Sequence, residues 1–310
     1  MIPETHTARY FASLYAAPAE RPALEALFGI EREVFDSVRP GLDHHVAHTR
    51  LQWWRDECER AARGSAAHPL TRALIVALGD PQAKSVPQLA GLDGIVDVAT
   101  WDLASAVFET RRELDAYCQR WAVGMIEPLV AASMFAAAPL ESPPLSAVGT
   151  LPATARVTSA AAGAAVASAE STGDWKGLGA AICEIELLAG LARDAHAGRI
   201  RIPLDELASA NVDTDALAKQ PWPETAAALI RSRLQSLRND IERSLAGLTR
   251  EQQQALRGLL VWASLSWRAA QRMESALPSR LQLGRFAGVS DAWLAWRIAR
   301  RATVGRFKLN

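Results

Sequence analysis

Apolar residues recur at steps of three and four along most of the chain, which is the period of an α-helix that buries one face. In the segment RPALEALFGIEREVFDSV the periodic apolar positions are Leu24, Leu27, Phe28, Val34 and Val38. Segments of alternating β-branched residues, which are typical of strands, do not stand out in the sequence. The pattern therefore predicts an all-α protein.

The same period predicts further helices, separated by proline and glycine positions that end them. They lie near 46–63, 69–79, 100–118, 119–136, 153–170, 175–197, 204–210, 223–246, 249–275 and 290–302. The stretch 139–152 is rich in proline and serine. We interpret it as a loop within one bundle, because the composition does not shift across it, and a linker between two domains is the alternative. We therefore expect one helical domain over residues 1–310.

Composition limits the classes of partner. The 310 residues include 34 Lys and Arg and 34 Asp and Glu, so the formal net charge is zero and no global field favours nucleic acid. Cys58, Cys118 and Cys183 lie far apart without disulfide or zinc-knuckle spacing, which fits a reducing compartment. No apolar run reaches the roughly 18 residues of a membrane span, and no secretory signal pattern begins the chain. These features predict a cytoplasmic protein.

Positive charge is concentrated locally in the C-terminal segment, at about 290–310. Its cations are Arg297, Arg300, Arg301, Arg306 and Lys308, and its aromatic residues are Trp293, Trp296 and Phe307. A basic aromatic helix of this kind could contact an anionic membrane peripherally, at its inner face. The more common arrangement is a solvated face with the tryptophans in the core, and we take that as the default interpretation.

A short histidine motif raises the possibility of a metal site. DHHVAH at 43–48 places His44 and His48 one helical turn apart, a spacing that could bind zinc or nickel. No HExxH glutamate or nearby cysteine accompanies it. We therefore interpret the segment as the exposed polar first turn of a helix.

Four segments, read in order, resemble the squalene/phytoene synthase family. They are ARYFASLYAAPAERPALEALFGIEREVFDSV, RLQWWRDECERAARGSAAHPLTRAL, ETRRELDAYCQRWAVGM and LARDAHAGRIRIPLDEL, and they cover roughly residues 8–215. The most specific block contains Trp53, Trp54, Arg55 and Glu57, followed by His68 and Pro69. Tyr117 and Cys118 provide supporting similarity.

The resemblance implies the isoprenoid synthase fold, a single-domain bundle of helices around a deep apolar cavity. In working members, two aspartate-rich helical motifs face each other across that cavity and hold magnesium ions, which bind the diphosphates of two prenyl substrates. Ionisation of the allylic carbon–oxygen bond releases a highly charged diphosphate, and hard divalent cations neutralise it.

Both aspartate motifs depart from the family pattern. The first, DDxxD, aligns with FDSVR at 35–39, where Asp36 is kept and Arg39 stands at the last aspartate position. The second, DxxxD, aligns with GLARD at 190–194, where Gly190 replaces the first aspartate and Asp194 is kept. In the GRxYLP-like ending that follows, Arg201 stands in place of the usual tyrosine. Because guanidinium groups repel magnesium, we expect metal-dependent ionisation to be impaired or absent.

The resemblance also implies candidate site residues. Asp36 and Asp194 are the candidate metal ligands if magnesium is retained, and no catalytic residue is assigned. The candidate substrate-binding residues are Arg39, Arg55, Tyr117, Arg193 and Arg199. Arginines in or beside the altered motifs could bind a phosphate directly, in bidentate geometry and without metal.

Two functional hypotheses follow. In the first, the protein is a non-catalytic or weakly active member that binds a prenyl diphosphate, a lipid or a protein partner and needs no cofactor. It is then similar to the squalene/phytoene-synthase-like assembly factors of respiratory complex I. In the second, it is an active magnesium-dependent prenyltransferase that condenses two prenyl diphosphates head-to-head, with Asp36, Asp194 and Glu186 holding the metal. We favour the first, because two opposed motif losses remove both walls of the site.

Overall fold

All regular secondary structure in the described part of the chain is helical. The computed structural model describes residues 7–39, 41–78, 85–104, 107–137, 174–219, 221–278 and 289–309. Within these ranges the chain forms thirteen α-helices and two short 3-10 helices, at Pro87–Leu89 and Thr214–Ala218, and no strand. This architecture confirms the prediction of an all-α protein.

The α-helices of the described ranges follow one another in this order. The first six are α1 (Ala8–Tyr15), α2 (Arg21–Asp36), α3 (His44–Ala62), α4 (Pro69–Ala77), α5 (Gly94–Ala104) and α6 (Arg111–Ala137). The other seven are α7 (Trp175–Ala189), α8 (Leu191–His196), α9 (Leu204–Ser209), α10 (Glu224–Ser244), α11 (Arg250–Ala255), α12 (Arg257–Ala276) and α13 (Val289–Thr303). Among these helices, none is long and apolar enough to cross a membrane.

A single hydrophobic core extends from α1 to the segment that follows α13. Helix α12 is buried on almost every side and packs against α1, α7, α10 and α13. A helix that is apolar around most of its circumference is stable in water only when other helices surround it. The pair α6 and α7 packs closely along its length. Helix α2 also packs against α6 and α1, so α1, α2, α6, α7 and α12 surround one interior region.

The predicted helices at 100–118 and 119–136 have the wrong boundaries. Helix α5 ends at Ala104, and α6 continues without interruption from Arg111 to Ala137, through Pro128. The start of α6 is fixed locally, because the Glu109 amide donates a hydrogen bond of 2.7 Å to the Glu113 carboxylate. Helix α1 was not predicted at all. The predicted helix at 153–170 and loop at 139–152 lie outside the described residues.

Two further predicted helices are each divided in two. The helix at 175–197 is interrupted at Gly190, and the helix at 249–275 is interrupted at Leu256. At the second break, the buried carboxylate of Glu20 accepts hydrogen bonds from the Gly258 and Leu259 amides, at 2.7 and 2.9 Å. These are amides that a new helix leaves without a partner. A distant carboxylate thus caps the first turn of α12.

The ionisation of this cap generates a prediction about stability. Burial raises the pKa of Glu20 from its ordinary value of 4.5 to about 7, although hydrogen bonds from three amides and the charge of Arg257 oppose the shift. The folded protein therefore binds this proton more tightly than the unfolded chain does. The contribution of Glu20 to stability is fully present below about pH 4.5 and is lost as the pH rises through about 7.

We expect the free energy of unfolding of wild type, minus that of Glu20→Gln, to decrease by about 3 kcal/mol between about pH 4.5 and about pH 8. Glutamine does not titrate, so the difference isolates the Glu20 proton. Urea unfolding of both proteins over this range measures it. A difference that stays constant with pH would contradict the prediction.

Candidate functional site

Arg9 joins two helices across the interior of the bundle. Its guanidinium Nη2 lies 2.6 Å from Glu186 Oε2 on α7 and 3.1 Å from Glu31 Oε1 on α2, and Nη1 forms a second ion pair with Glu31. The Arg9 side chain is 25% exposed and that of Glu31 is 7% exposed. One cation carried by α1 therefore neutralises a carboxylate on each of two helices.

Aromatic rings surround the Arg9 guanidinium. Its carbon lies 5.5 Å from the ring centroid of Phe28, 5.9 Å from that of Trp121 and 5.3 Å from that of Trp262. The indole N–H groups of the two tryptophans donate to Glu31 at 2.8 Å and Glu186 at 3.3 Å. Burial alone would lower the pKa of Arg9, but the two carboxylates outweigh it and raise the pKa above its ordinary value. The guanidinium therefore stays charged between these rings.

Arg201 forms a second, more deeply buried ion pair. It lies in the segment between α8 and α9, and its side chain is only 4% exposed. Nη1 and Nη2 bind the two oxygens of Asp102 on α5 at 2.7 and 3.1 Å, and Nε lies 3.3 Å from Asp194 Oδ2 on α8. The Tyr117 hydroxyl donates to Asp102 at 3.3 Å. This bidentate geometry holds the Arg201 guanidinium between two carboxylates.

The candidate metal ligands are not brought together around a cation site. Asp194 faces Arg201, and it also accepts a hydrogen bond of 3.1 Å from Arg193 Nε. Asp36, the last residue of α2, is exposed, and its side chain has no partner within the described ranges. Across those ranges no group of three or more His, Cys, Asp or Glu side chains could hold a metal ion. Because guanidinium groups bind Asp194 and Glu186, the described residues do not fit a magnesium centre.

The candidate substrate-binding residues fall into two groups. Arg201, Asp102 and Asp194 form a cluster that we name the Arg201 network. Tyr117 contacts it through Asp102, and Arg193 contacts it through Asp194. Burial and the charge of Asp102 hold the pKa of Tyr117 well above its ordinary value, so its hydroxyl remains a donor.

The other three candidates lie apart from this network. Arg55 on α3 instead pairs with Asp97 on α5, at 2.7 Å. Arg39 is exposed and Arg199 is half-buried. Neither side chain has a partner in the part of the chain that the structure describes.

A third buried carboxylate lies on the other side of α7. Glu184 is two residues from Glu186 and therefore on a nearly opposite face of the helix. It binds Arg111 on α6 at 2.8 Å and Arg233 on α10 at 2.5 Å. A polar cavity of ≈ 300 Å³ adjoins this cluster. The deep apolar cavity that the resemblance implies stays a prediction.

Comparison with known proteins decides the family. The sequence profile of the Squalene/phytoene synthase family matches residues 2–286. This chain belongs to the squalene/phytoene synthase family. The match confirms the resemblance proposed from the four sequence segments.

Solved structures similar to this family member confirm the fold. A dehydrosqualene synthase in complex with a ligand has a TM-score of 0.66 and 16% sequence identity, over 94% of this chain and 90% of that chain. Squalene synthase HpnC from Alicyclobacillus acidocaldarius has a TM-score of 0.57 and 15% identity, over 86% and 87% of the two chains. These similarities establish the isoprenoid synthase fold, as predicted.

A further sequence similarity covers only a short segment. Over 78 residues the chain is 40% identical to the ATP phosphoribosyltransferase regulatory subunit of Paramagnetospirillum magneticum. That segment is 25% of this chain and 18% of the subunit's length. The chain thus spans less than a fifth of this curated relative.

A side chain at position 190 would point towards Asp194. A Cβ atom added at Gly190 would lie 3.4 Å from Asp194 Oδ2 and 2.7 Å from Arg193 Nη2. Arg193 is largely exposed, with 82% of its side-chain surface accessible, so it could move aside for a larger residue. Position 190 is therefore close enough to Asp194 for side chains at the two positions to share one site.

The most specific family block has a structural role in this chain. Glu57 is fully buried and accepts hydrogen bonds from the Ala67 and His68 amides at 2.9 and 2.7 Å. It also accepts from the Thr71 hydroxyl at 2.5 Å and from Arg60 Nε at 2.9 Å. Burial alone would raise the pKa of Glu57, but these hydrogen bonds outweigh it and lower the pKa. The block therefore joins α3 to the start of α4.

The histidine motif forms the exposed polar first turn that the sequence predicts. His44 Nε2 and His48 Nε2 lie 3.0 Å apart on the exposed first turn of α3. Asp43 accepts hydrogen bonds from the His45 and Val46 amides, so its carboxylate caps the helix.

Sequence analysis missed Arg9, Glu31 and Asp102, and it assigned no partner to Arg201. One signal was available in α2. Glu31 falls in the same helical row as Leu24, Leu27 and Val34, so it places a charge on the buried face. A buried carboxylate needs a cation or several donors. The sequence could have indicated that a partner exists, but it could not indicate which residue it is.

The Arg201 network generates a prediction about stability. Arg201→Met leaves Asp102 buried without its counter-ion, so we expect the free energy of unfolding to decrease by about 3 kcal/mol or more. The double variant Asp102→Asn/Arg201→Met should lose at least about 1 kcal/mol less than the sum of the two single losses. Chemical denaturation of the four proteins measures this coupling.

Arg55→Met provides a matched control. The Arg55–Asp97 pair is 33% and 22% exposed, and we expect its loss to cost about 1 kcal/mol or less. An Arg201→Met protein as stable as Arg55→Met would contradict the importance of the buried network.

Proposed function

We propose that this protein is a non-catalytic or weakly active member of the squalene/phytoene synthase family. In this proposal it binds a prenyl diphosphate or a lipid, or acts with a protein partner in the manner of an assembly factor. One observation carries the proposal: arginine guanidinium groups bind Asp194 and Glu186, carboxylates on the segment that carries the second family motif.

The chemistry of prenyl transfer explains why this observation matters. An allylic diphosphate ionises only when cations stabilise the departing diphosphate. Magnesium requires near-ideal octahedral oxygen ligands and gives up its waters reluctantly. A metal bound by Asp194 would displace the contact from Arg201 Nε and would bring a second cation next to a buried guanidinium that stays paired with Asp102. The remaining motif carboxylate, Asp36, lies alone on α2.

Unpaired arginines support binding without metal. Arg39 and Arg199 have no side-chain partner among the described residues, and most of the Arg193 surface is accessible. A guanidinium group binds phosphate oxygens in bidentate geometry. A prenyl diphosphate or an anionic lipid headgroup therefore matches the available charges. The neutral composition gives no reason to include nucleic acid among the ligands.

The alternative function is a magnesium-dependent prenyltransferase that condenses two prenyl diphosphates. Two observations favour keeping it as the second candidate: the fold of the family is retained, and the Glu186 side chain is 32% exposed. This function requires Asp194 and Glu186 to exchange their arginine partners for metal.

The proposal also includes a cytoplasmic location with peripheral contact at the inner face of a membrane. The three cysteines are free and buried, as expected in a reducing compartment. The basic aromatic helix α13 is the element proposed to make the contact.

The purified protein, supplied with magnesium and either farnesyl or geranylgeranyl diphosphate, should release no pyrophosphate above a heat-killed sample. The physical reason is that arginines bind Asp194 and Glu186, so these carboxylates are not available to bind magnesium. A working dehydrosqualene synthase in the same buffer provides the positive control. Formation of a squalene-type or phytoene-type hydrocarbon would establish the alternative function.

The same samples test binding. In EDTA, farnesyl diphosphate should raise the melting temperature, and Arg199→Ala should weaken binding about fivefold or more. Arg63→Ala, which removes an exposed arginine just after the end of α3, should leave binding unchanged. Stabilisation that occurs only with magnesium would contradict binding by arginine.

A further inference from the structure

Helix α13 exposes two tryptophans. Trp293 is 53% exposed and Trp296 is 44% exposed, so the interpretation that places these rings in the core is wrong. The opposite face of the helix, with Leu294, Ile298 and Ala302, is buried. The helix is therefore rotated so that its small and aliphatic residues face the bundle and its indoles face solvent.

The exposed face forms a continuous strip, which we name the α13 strip. It consists of Trp293, Trp296, Arg300 and Val304, at steps of three and four, with the half-buried Arg297 one turn after Trp293. The Arg297 guanidinium carbon lies 4.7 Å from the Trp293 ring centroid, and that of Arg300 lies 5.4 Å from the Trp296 ring centroid. Val304 is 49% exposed. Each tryptophan of the strip therefore has an arginine beside its ring.

The charge of this surface has one sign. The segment 289–309 contains five cations, Arg297, Arg300, Arg301, Arg306 and Lys308, and one acidic residue, Asp291. Asp291 is 1% exposed, and it is bound by Arg272 at 2.7 Å. The acidic charge is therefore neutralised inside the protein, and the exposed charge that remains around the α13 strip is positive.

A second element adds apolar surface beside the strip. Arg257 binds the Tyr15 carbonyl oxygen at the end of α1 and the Thr303 hydroxyl at the end of α13, at 2.7 and 3.0 Å. The ends of these two helices are therefore held together. Leu14, in the last turn of α1, is 47% exposed.

We propose that the α13 strip is a docking surface for an anionic lipid bilayer. Indole rings are stable at the boundary between headgroups and hydrocarbon, where one part of the ring is buried and its N–H stays hydrated. Arginine side chains extend from such rings toward lipid phosphates. Because the opposite face of α13 packs on α12, the helix lies along the membrane surface rather than across it.

This inference rests on the peripheral membrane contact in the proposed function and deepens it, because it names the surface and the lipid charge; it does not depend on whether the protein transfers prenyl groups. The match to the squalene/phytoene synthase family ends at residue 286, before α13 begins. A protein that transfers prenyl groups and one that does not could equally use the strip. Its test therefore needs no substrate and no metal.

The test is co-flotation of the full chain with vesicles. Vesicles of phosphatidylcholine with about one-third phosphatidylglycerol should bind the protein, and vesicles of phosphatidylcholine alone should bind it about tenfold or more weakly. Raised salt should weaken the binding. Trp293→Ala/Trp296→Ala should reduce binding to anionic vesicles about tenfold or more. Arg297→Gln/Arg300→Gln should reduce the dependence on phosphatidylglycerol.

Trp53→Ala provides the matched control. Trp53 is 43% exposed but lies on α3, so its removal should leave vesicle binding unchanged. Circular dichroism and thermal unfolding confirm that each variant is folded. Exposed tryptophans outside the core contribute little to stability, so the α13 variants should melt like wild type.

Three results would overturn the proposal. The first is absence of binding to anionic vesicles. The second is binding that the α13 variants retain. The third is a wild-type protein that does not bind vesicles and forms a dimer, while Trp293→Ala/Trp296→Ala is a monomer. In that case the α13 strip binds a second copy of the chain.

Discussion

Pairing of buried carboxylates with arginine is the interaction on which the interior of this bundle depends. Arg9 binds Glu31 and Glu186, and Arg201 binds Asp102 and Asp194. A carboxylate inside a helical bundle is unstable without a cation or a full set of donors. These arginines connect α1 to α2 and α7, and the segment before α9 to α5 and α8. Without them the same helices would bring negative charges together.

The pairing explains how the family fold persists while the family chemistry is proposed to be lost. In the squalene/phytoene synthase family, magnesium is expected to balance carboxylates that face the cavity. In this chain, covalently attached guanidinium groups balance them. A guanidinium group keeps the helices at a fixed spacing without an added ion, but its oxygen partners are then unavailable to a metal. The requirement for charge balance is the same, and the cation that meets it differs.

The sequence predicted the helical class and the family, and both are confirmed; the alteration of the two aspartate motifs stays a prediction. The sequence did not predict the partners of the buried charges, because those pairs join residues that are far apart in the chain. Arg9 and Glu186 are separated by 177 positions, and Arg201 and Asp102 by 99. Helical periodicity reports which face of a helix is buried, but not which residue of another helix packs against it.

The helix boundaries and the orientation of α13 could not be predicted for the same reason, because both depend on residues that are far away in the chain. The break before α12 depends on Glu20, 238 positions earlier. The exposure of Trp293 depends on how α13 is rotated against α12, which a pattern containing apolar residues on both faces leaves open. Local signals were sufficient where the capping group lies nearby, as at Asp43 before α3.

The most direct test of arginine as the resident counter-ion is a titration of the protein with Mn²⁺, followed by electron paramagnetic resonance in the presence of inorganic pyrophosphate. Wild type should show no saturable site in the micromolar range, because Arg9 and Arg201 hold Glu186 and Asp194. Saturable micromolar binding that Asp194→Asn or Asp36→Asn abolishes would contradict the exchange of metal for guanidinium.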